Sequence, residues 1–239
     1  MKTHITIILD KSGSMQSCLN DTIGGFNQFL NTQKEVEGEA TITLVQFNSQ
    51  YNLLMDMVPL TGAEELTKRS YSPNGGTALL DAIGRTINNV EAKINEKSED
   101  EKPEKVIFVI ITDGEENESR EFTRDQVMTM INNHRSEQKW EFVFIGANQD
   151  SIQAGGSMGV RAGNTLNYAA SAVGTQTMYQ TLTRSMTSYR CKSADVAAST
   201  DFFVDDTQAQ KDAKDAVGKN PKGIAQNLDI RTTTYDVKP

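Results

Sequence analysis

The order of apolar segments predicts an α/β fold: a doubly wound, mostly parallel sheet with one antiparallel edge strand and helices on both faces. Three observations carry this. Short β-branched runs such as "HITIILD" and "KVIFVIITDG" are apolar throughout, as strands covered on both faces must be. Between them lie segments whose apolar residues recur every three or four positions. One pair of extended runs is separated by only a tight turn, which requires an antiparallel hairpin.

Taken in order, the first strand ends at Asp10, and Met15, Leu19, Ile23, Phe26 and Leu30 then mark one face of a helix. Gly24 and Gly25 interrupt it at about 1 kcal/mol each, which close packing on the sheet would explain. "ATITLVQFNSQYNLLMDMV" reads as two strands around a turn at Asn48–Ser49. The loop "SPNGGT" at 72–77 precedes a second amphipathic helix through Leu79, Ile83, Ile87, Val90 and Ile94. The charged stretch 95–105 is a solvated connection. A buried strand then ends at Asp113, and Thr123 with Gln126 forms a capping box that opens a third helix. "KWEFVFIGAN" is the next strand, with Trp140 in the core. A short helical stretch from Asp150 towards Met158, a last strand at "NTLNY" and a helix from Ser171 towards Cys191 complete the alternation.

Beyond Ser193 the apolar residues are scattered. We therefore divide the chain into a domain at 1–191 and an extension at 192–239 that is partly ordered at most. Its one compact apolar patch, Phe202–Phe203–Val204, is flanked by Asp201, Asp205 and Asp206. Two roles are open to it. The patch could cover a hydrophobic spot, or it could dock so that an aspartate reaches the functional site as an internal ligand.

Composition narrows the function. The chain has 239 residues and a formal net charge of −8, which argues against a nucleic-acid binder. No stretch approaches the roughly 20 apolar residues of a membrane span. Two cysteines, Cys18 and Cys191, make no disulfide framework, so a cytoplasmic setting is expected.

The chemistry lies in the loops. In a parallel sheet, loops after the carboxyl ends of strands gather at one edge, where ligands bind. Asp10, Ser12 and Ser14 leave the first strand there, Asp113 leaves a later one, and Thr77 opens a helix on the same side. Five small oxygen-bearing side chains from three distant segments converge. Mg²⁺ favours six oxygens in an octahedron and gives up water reluctantly, so hydroxyl and water ligands suit it.

Asp10-Lys11-Ser12-Gly13-Ser14-Met15, Gly75-Gly76-Thr77 and Thr112-Asp113-Gly114 together resemble the von Willebrand factor A domain with a metal-ion-dependent adhesion site (MIDAS). No motif position departs from that pattern, and the likeness covers roughly residues 1–190. The resemblance implies a Rossmann-like fold holding one divalent cation, usually Mg²⁺, with Mn²⁺ or Ca²⁺ as substitutes. Ser12, Ser14 and Thr77 would then ligate directly, while Asp10 and Asp113 act through waters or hydrogen bonds. It further implies a protein partner that supplies an Asp or Glu carboxylate. Intracellular relatives often serve in larger assemblies, including metal-chelatase and stress-response systems of bacteria and phages.

Two other readings stay open: a metal-dependent hydrolase or phosphatase, and an assembly subunit whose metal is purely structural. Catalysis is not expected, because no Ser/His/Asp set, H-E-x-x-H or phosphate loop occurs. His4 reads as a strand-end residue and His134 as a helix-surface residue. Glu115, Glu116 and Glu118 form either a solvated acidic loop or a selectivity rim beside the site.

Overall fold

The structure is a computed structural model that describes residues 1–147 and 151–203. Its six strands are β1 (Lys2–Asp10), β2 (Glu39–Phe47), β3 (Tyr51–Pro59), β4 (Lys105–Thr112), β5 (Glu141–Ala147) and β6 (Thr165–Tyr168). They form one sheet in the order β3-β2-β1-β4-β5-β6, in which only the β2–β3 pair is antiparallel. The six helices are α1 (Leu19–Glu35), α2 (Leu79–Asn95), α3 (Arg124–Gln138), α4 (Ser151–Gly156), α5 (Ala172–Cys191) and α6 (Ala194–Ser199). The predicted architecture is the observed one.

Strand alternation divides the core into two layers. Ile5, Ile7, Leu9, Ile107, Val109 and Ile111 face α1 and α5, where Phe26, Phe29, Leu30, Met178, Leu182 and Met186 meet them. Ile8, Phe108, Ile110, Phe142 and Phe144 face the other way, against Ile83, Ile87 and Val90 of α2 and Val127 and Ile131 of α3. Gly25 of α1 lies under the Tyr179 ring of α5, leaving no room there for a side chain. The close packing expected on the sheet is instead against α5, and only at Gly25, whereas Gly24 faces open space.

Three local features differ from the sequence reading. The segment Gly13–Cys18 is a 3₁₀ turn, and α1 begins only at Leu19. Met15 is still buried. Tighter winding is what the preceding loop imposes, since Met15 N–H bonds the Ser12 carbonyl at 3.2 Å. His4 is buried inside β1, where its ring nitrogens pair with Thr41 Oγ1 at 2.8 Å and Thr6 Oγ1 at 3.1 Å. His134 is buried rather than on the surface, because the last turn of α3 folds its ring onto Trp140, 4.5 Å between centroids.

Past α5, the described part of the extension packs on the amino ends of β5 and β6. Phe202 and Phe203 join the core, and their N–H groups bond Asn164 Oδ1 at 2.8 Å and the Gly163 carbonyl at 3.1 Å.

Candidate functional site

The strand order reverses between β1 and β4, and in open α/β sheets ligands bind outside the carboxyl ends of the strands at such a switch point. In the β1–β4 register Leu9 lies opposite Ile111, so Asp10 and Thr112 leave the sheet side by side. Thr112 Oγ1 donates to Asp10 Oδ2 at 2.6 Å, and the Ser12 N–H donates to Asp10 Oδ1 at 2.6 Å. Asp10 therefore aims its own loop. Tyr71, which is fully buried, donates its hydroxyl to the Asp10 carbonyl at 2.7 Å and fixes the main chain from below.

The loop's two serine hydroxyls stand 3.0 Å apart, and Ser14 Oγ donates to Asp113 Oδ1 at 2.6 Å. Thr77 is buried, and its hydroxyl approaches the same point: a Cβ on Gly114 would lie 3.1 Å from Thr77 Oγ1 and 3.7 Å from Ser14 Oγ. All five residues singled out from sequence thus sit in one cluster.

Backbone bonds stitch the loops together. Lys11 N–H bonds the Phe47 carbonyl at 2.7 Å, Asn74 N–H bonds the Lys11 carbonyl at 2.9 Å, and Gly13 N–H bonds the Gly75 carbonyl at 3.0 Å. Gly75 has φ of +73°, a left-handed conformation that glycine adopts without strain. Asn48 in the β2–β3 turn adds bonds from Nδ2 to the Asn74 carbonyl at 2.8 Å and to Asn74 Oδ1 at 2.9 Å.

The electrostatics are one-sided. Burial pushes the Asp10 carboxyl up to about 6, although bonds from Thr112 and Ser12 oppose the shift, and the neighbouring Asp113 adds to it. Burial raises the Asp113 carboxyl as well, against the bond from Ser14. Among the described residues, no Lys or Arg side chain forms an ion pair with either acid.

The oxygen set fits a hard divalent cation: two carboxylates and three hydroxyls, with no soft ligand among them. Among the described residues no three His, Cys, Asp or Glu side chains gather to hold a metal, so hydroxyls have to complete any set here.

Sequence reading gives no supporting role to several residues. Thr112, Tyr71 and Asn48 hold the loops, and Asn117 brackets Thr77. The sequence shows Thr112 as part of the Thr112-Asp113-Gly114 motif and Asn48 as a turn residue, without their bonds. Nothing in the sequence marked Tyr71 or Asn117, whose roles arise only where distant segments meet.

The acidic loop is only partly solvated. Glu115 and Glu118 are exposed, but Glu116 accepts the Leu80 N–H at 2.9 Å at the start of α2. Neither histidine joins the cluster, and Cys18 is buried with its thiol raised mainly by burial. Asp201 lies against Gly163 at the amino ends of the strands, opposite the cluster. An internal ligand from Asp201 is thereby ruled out, because the buried pair Phe202–Phe203 anchors it there. Val204, Asp205 and Asp206 lie outside the described residues.

The sequence profile of the von Willebrand factor type A domain matches residues 4–181. A comparison with curated protein sequences finds no match. Similar solved structures include the pilus adhesin SpaC from Lactobacillus rhamnosus GG, with a TM-score of 0.60 at 13% identity over 77% of this chain and 30% of that one. A mutant of the PilB minor pilin from Streptococcus sanguinis gives 0.57 at 11% identity, covering 82% of this chain and 62% of the pilin. Proximal thread matrix protein 1 from the mussel byssus, in a structure with a zinc-occupied MIDAS motif, gives 0.55 at 14% identity, covering 75% and 46%. At such identities the likeness shows the fold. The chain spans less than two thirds of each of these proteins' lengths.

Proposed function

The chain belongs to the von Willebrand factor type A domain family, and from that premise we propose that it is a metal-dependent protein-binding module with a MIDAS. One observation carries the reading: three hydroxyls from two loops meet around two acids that, among the described residues, no basic side chain neutralises.

Ser12, Ser14 and Thr77 would hold the cation directly, with Asp10 and Asp113 orienting the hydroxyls and balancing the charge. Mg²⁺ is the favoured ion, and Mn²⁺ or Ca²⁺ substitutes for it. When bound, such an ion supplies an electrophilic position that attracts an anionic oxygen, and an Asp or Glu of a partner protein provides one. Asp10 prepares the loop for this by accepting the Ser12 N–H while it is itself held by Thr112. Asp113 takes the Ser14 proton in a hydrogen bond and leaves a serine lone pair free for the ion.

We read binding rather than catalysis. Both histidines are engaged in other parts of the fold, which leaves neither beside the cluster as a general base. We also place the protein in a reducing compartment such as the cytoplasm, a reading supported by its two free cysteines.

Affinity capture from lysate in Mg²⁺ and in EDTA, with wild type and Asp10→Ala, tests the function. A partner recovered only by wild type in Mg²⁺ is the expected outcome. Equal recovery in EDTA contradicts it.

A further inference from the structure

The Thr77 and Asp113 segments have no regular secondary structure where they meet, yet side chains tie them together in both directions. From the loop after β4, Glu116 accepts the Leu80 N–H at 2.9 Å, and Ser119 Oγ accepts the Asp81 N–H at 3.1 Å. From α2, the Asp81 carboxylate accepts the N–H groups of Arg120, Glu121 and Phe122, each at 2.9 Å. Each segment thus caps main-chain groups of the other that would otherwise face water.

Within this latch one residue acts on Thr77 alone. Asn117 Oδ1 accepts the Thr77 N–H at 2.9 Å, and the Asn117 N–H donates to the Thr77 carbonyl at 3.1 Å. Both peptide groups flanking the Thr77 Cα are therefore fixed. The hydroxyl position then depends on a single torsion, which burial restricts further. Asn117 itself is exposed, so core packing does not account for its side-chain bond.

We propose that Asn117 is a positioning residue that holds Thr77 in place, so that its hydroxyl is set against Ser14 before a cation arrives. The inference rests on the metal-binding reading above. An acceptor is required at this position, and the Asn117 amide oxygen provides one. Asn117 also joins the Thr77 loop to the Asp113 loop, so two of the three segments that form the site move as one body.

The test uses the full chain with three substitutions: Asn117→Ala, Asn117→Asp and Ser119→Ala. Ser119 ties the same loop to α2 but does not touch Thr77, so it serves as the control. Two quantities are read on each protein: exchange of the Thr77 amide hydrogen by NMR without metal, and Mn²⁺ affinity by calorimetry. Asn117→Ala should speed Thr77 exchange and weaken Mn²⁺ binding about tenfold, the scale of one lost hydrogen bond. Asn117→Asp keeps the acceptor and should recover most of both effects, and Ser119→Ala should leave Thr77 exchange near the wild-type rate.

Unchanged Thr77 exchange in Asn117→Ala overturns the proposal, as does equal loss in Ala and Asp variants or in the Ser119 control. A wild type that binds no Mn²⁺ overturns the metal reading instead, and the exchange arm still decides what Asn117 does.

Discussion

The two ends of the sheet treat buried charge in opposite ways. At the amino ends every buried ion has partners. Lys105 Nζ donates to the carbonyls of Tyr189 at 3.0 Å, Arg190 at 2.7 Å and Lys192 at 2.7 Å, closing the end of α5. Arg190 donates to the carbonyls of Gln33, Val36 and Gly38 and closes α1. Glu141 is met by Arg161 at 2.5 Å and by Asn164 at 2.6 Å. At the carboxyl ends, Asp10 and Asp113 receive hydrogen bonds but, among the described residues, no cationic side chain. Burying a charge without compensation is costly, and a fold that solves the problem at one end leaves it open at the other. On the proposed function, the open end is where the ligand binds.

Substitutions that neutralise one charge at each end should break this symmetry in opposite senses. Asp10→Asn keeps an acceptor for the Ser12 N–H and should leave the fold intact, while Mn²⁺ affinity falls by about a hundredfold or more in calorimetry. Lys105→Met should do the reverse. It strands three carbonyls and should cost about 3 kcal/mol in urea unfolding, with Mn²⁺ affinity unchanged. Comparable stability in wild type and Lys105→Met would remove one side of the comparison.

Acid sharpens it further. His4 lies in the amino half of β1, and burial holds its imidazole down to about 3. The unfolded chain takes up this proton near pH 6.5 and the folded chain does not, so stability is full above about pH 6.5 and falls as pH drops towards 3. Between pH 7 and 4.5 the wild type should lose about 2.5 kcal/mol more than His4→Gln, measured by urea unfolding at both pH values. Equal losses would mean that His4 is not buried neutral. The smallest effect is expected for Ser14→Ala, which removes one hydroxyl at an exposed position. Mn²⁺ binding should weaken about tenfold, with the melting temperature of the metal-free protein nearly unchanged.

Much of this contrast was legible in the sequence, though only at one end. The apolar runs around Ile5–Leu9 and Val106–Ile111 specify buried parallel strands, and the motif residues at their carboxyl ends follow by topology. Thr77 and Asp113 could be placed together because Thr77 opens a helix on the side of the sheet where Asp113 leaves its strand. The charged residues of the amino end were not legible. Lys105 and Arg190 look like ordinary surface cations until α5 docks beside β4, because their partners are carbonyls 84 to 157 positions away in the chain. His134 was misjudged for a different, local reason: its burial depends on Trp140, six residues on, folding back over it. Asn117 escaped notice because its bond to Thr77 spans 40 residues and has no local pattern.

Anomalous diffraction from crystals grown in Mn²⁺ tests the central claim most directly. One manganese peak among Ser12 Oγ, Ser14 Oγ and Thr77 Oγ1, with Asp10 and Asp113 beside it, is the predicted result, and the peak should vanish in Asp10→Asn. A manganese-soaked crystal with no ion between these three hydroxyls, or with the ion bound elsewhere, would contradict the account.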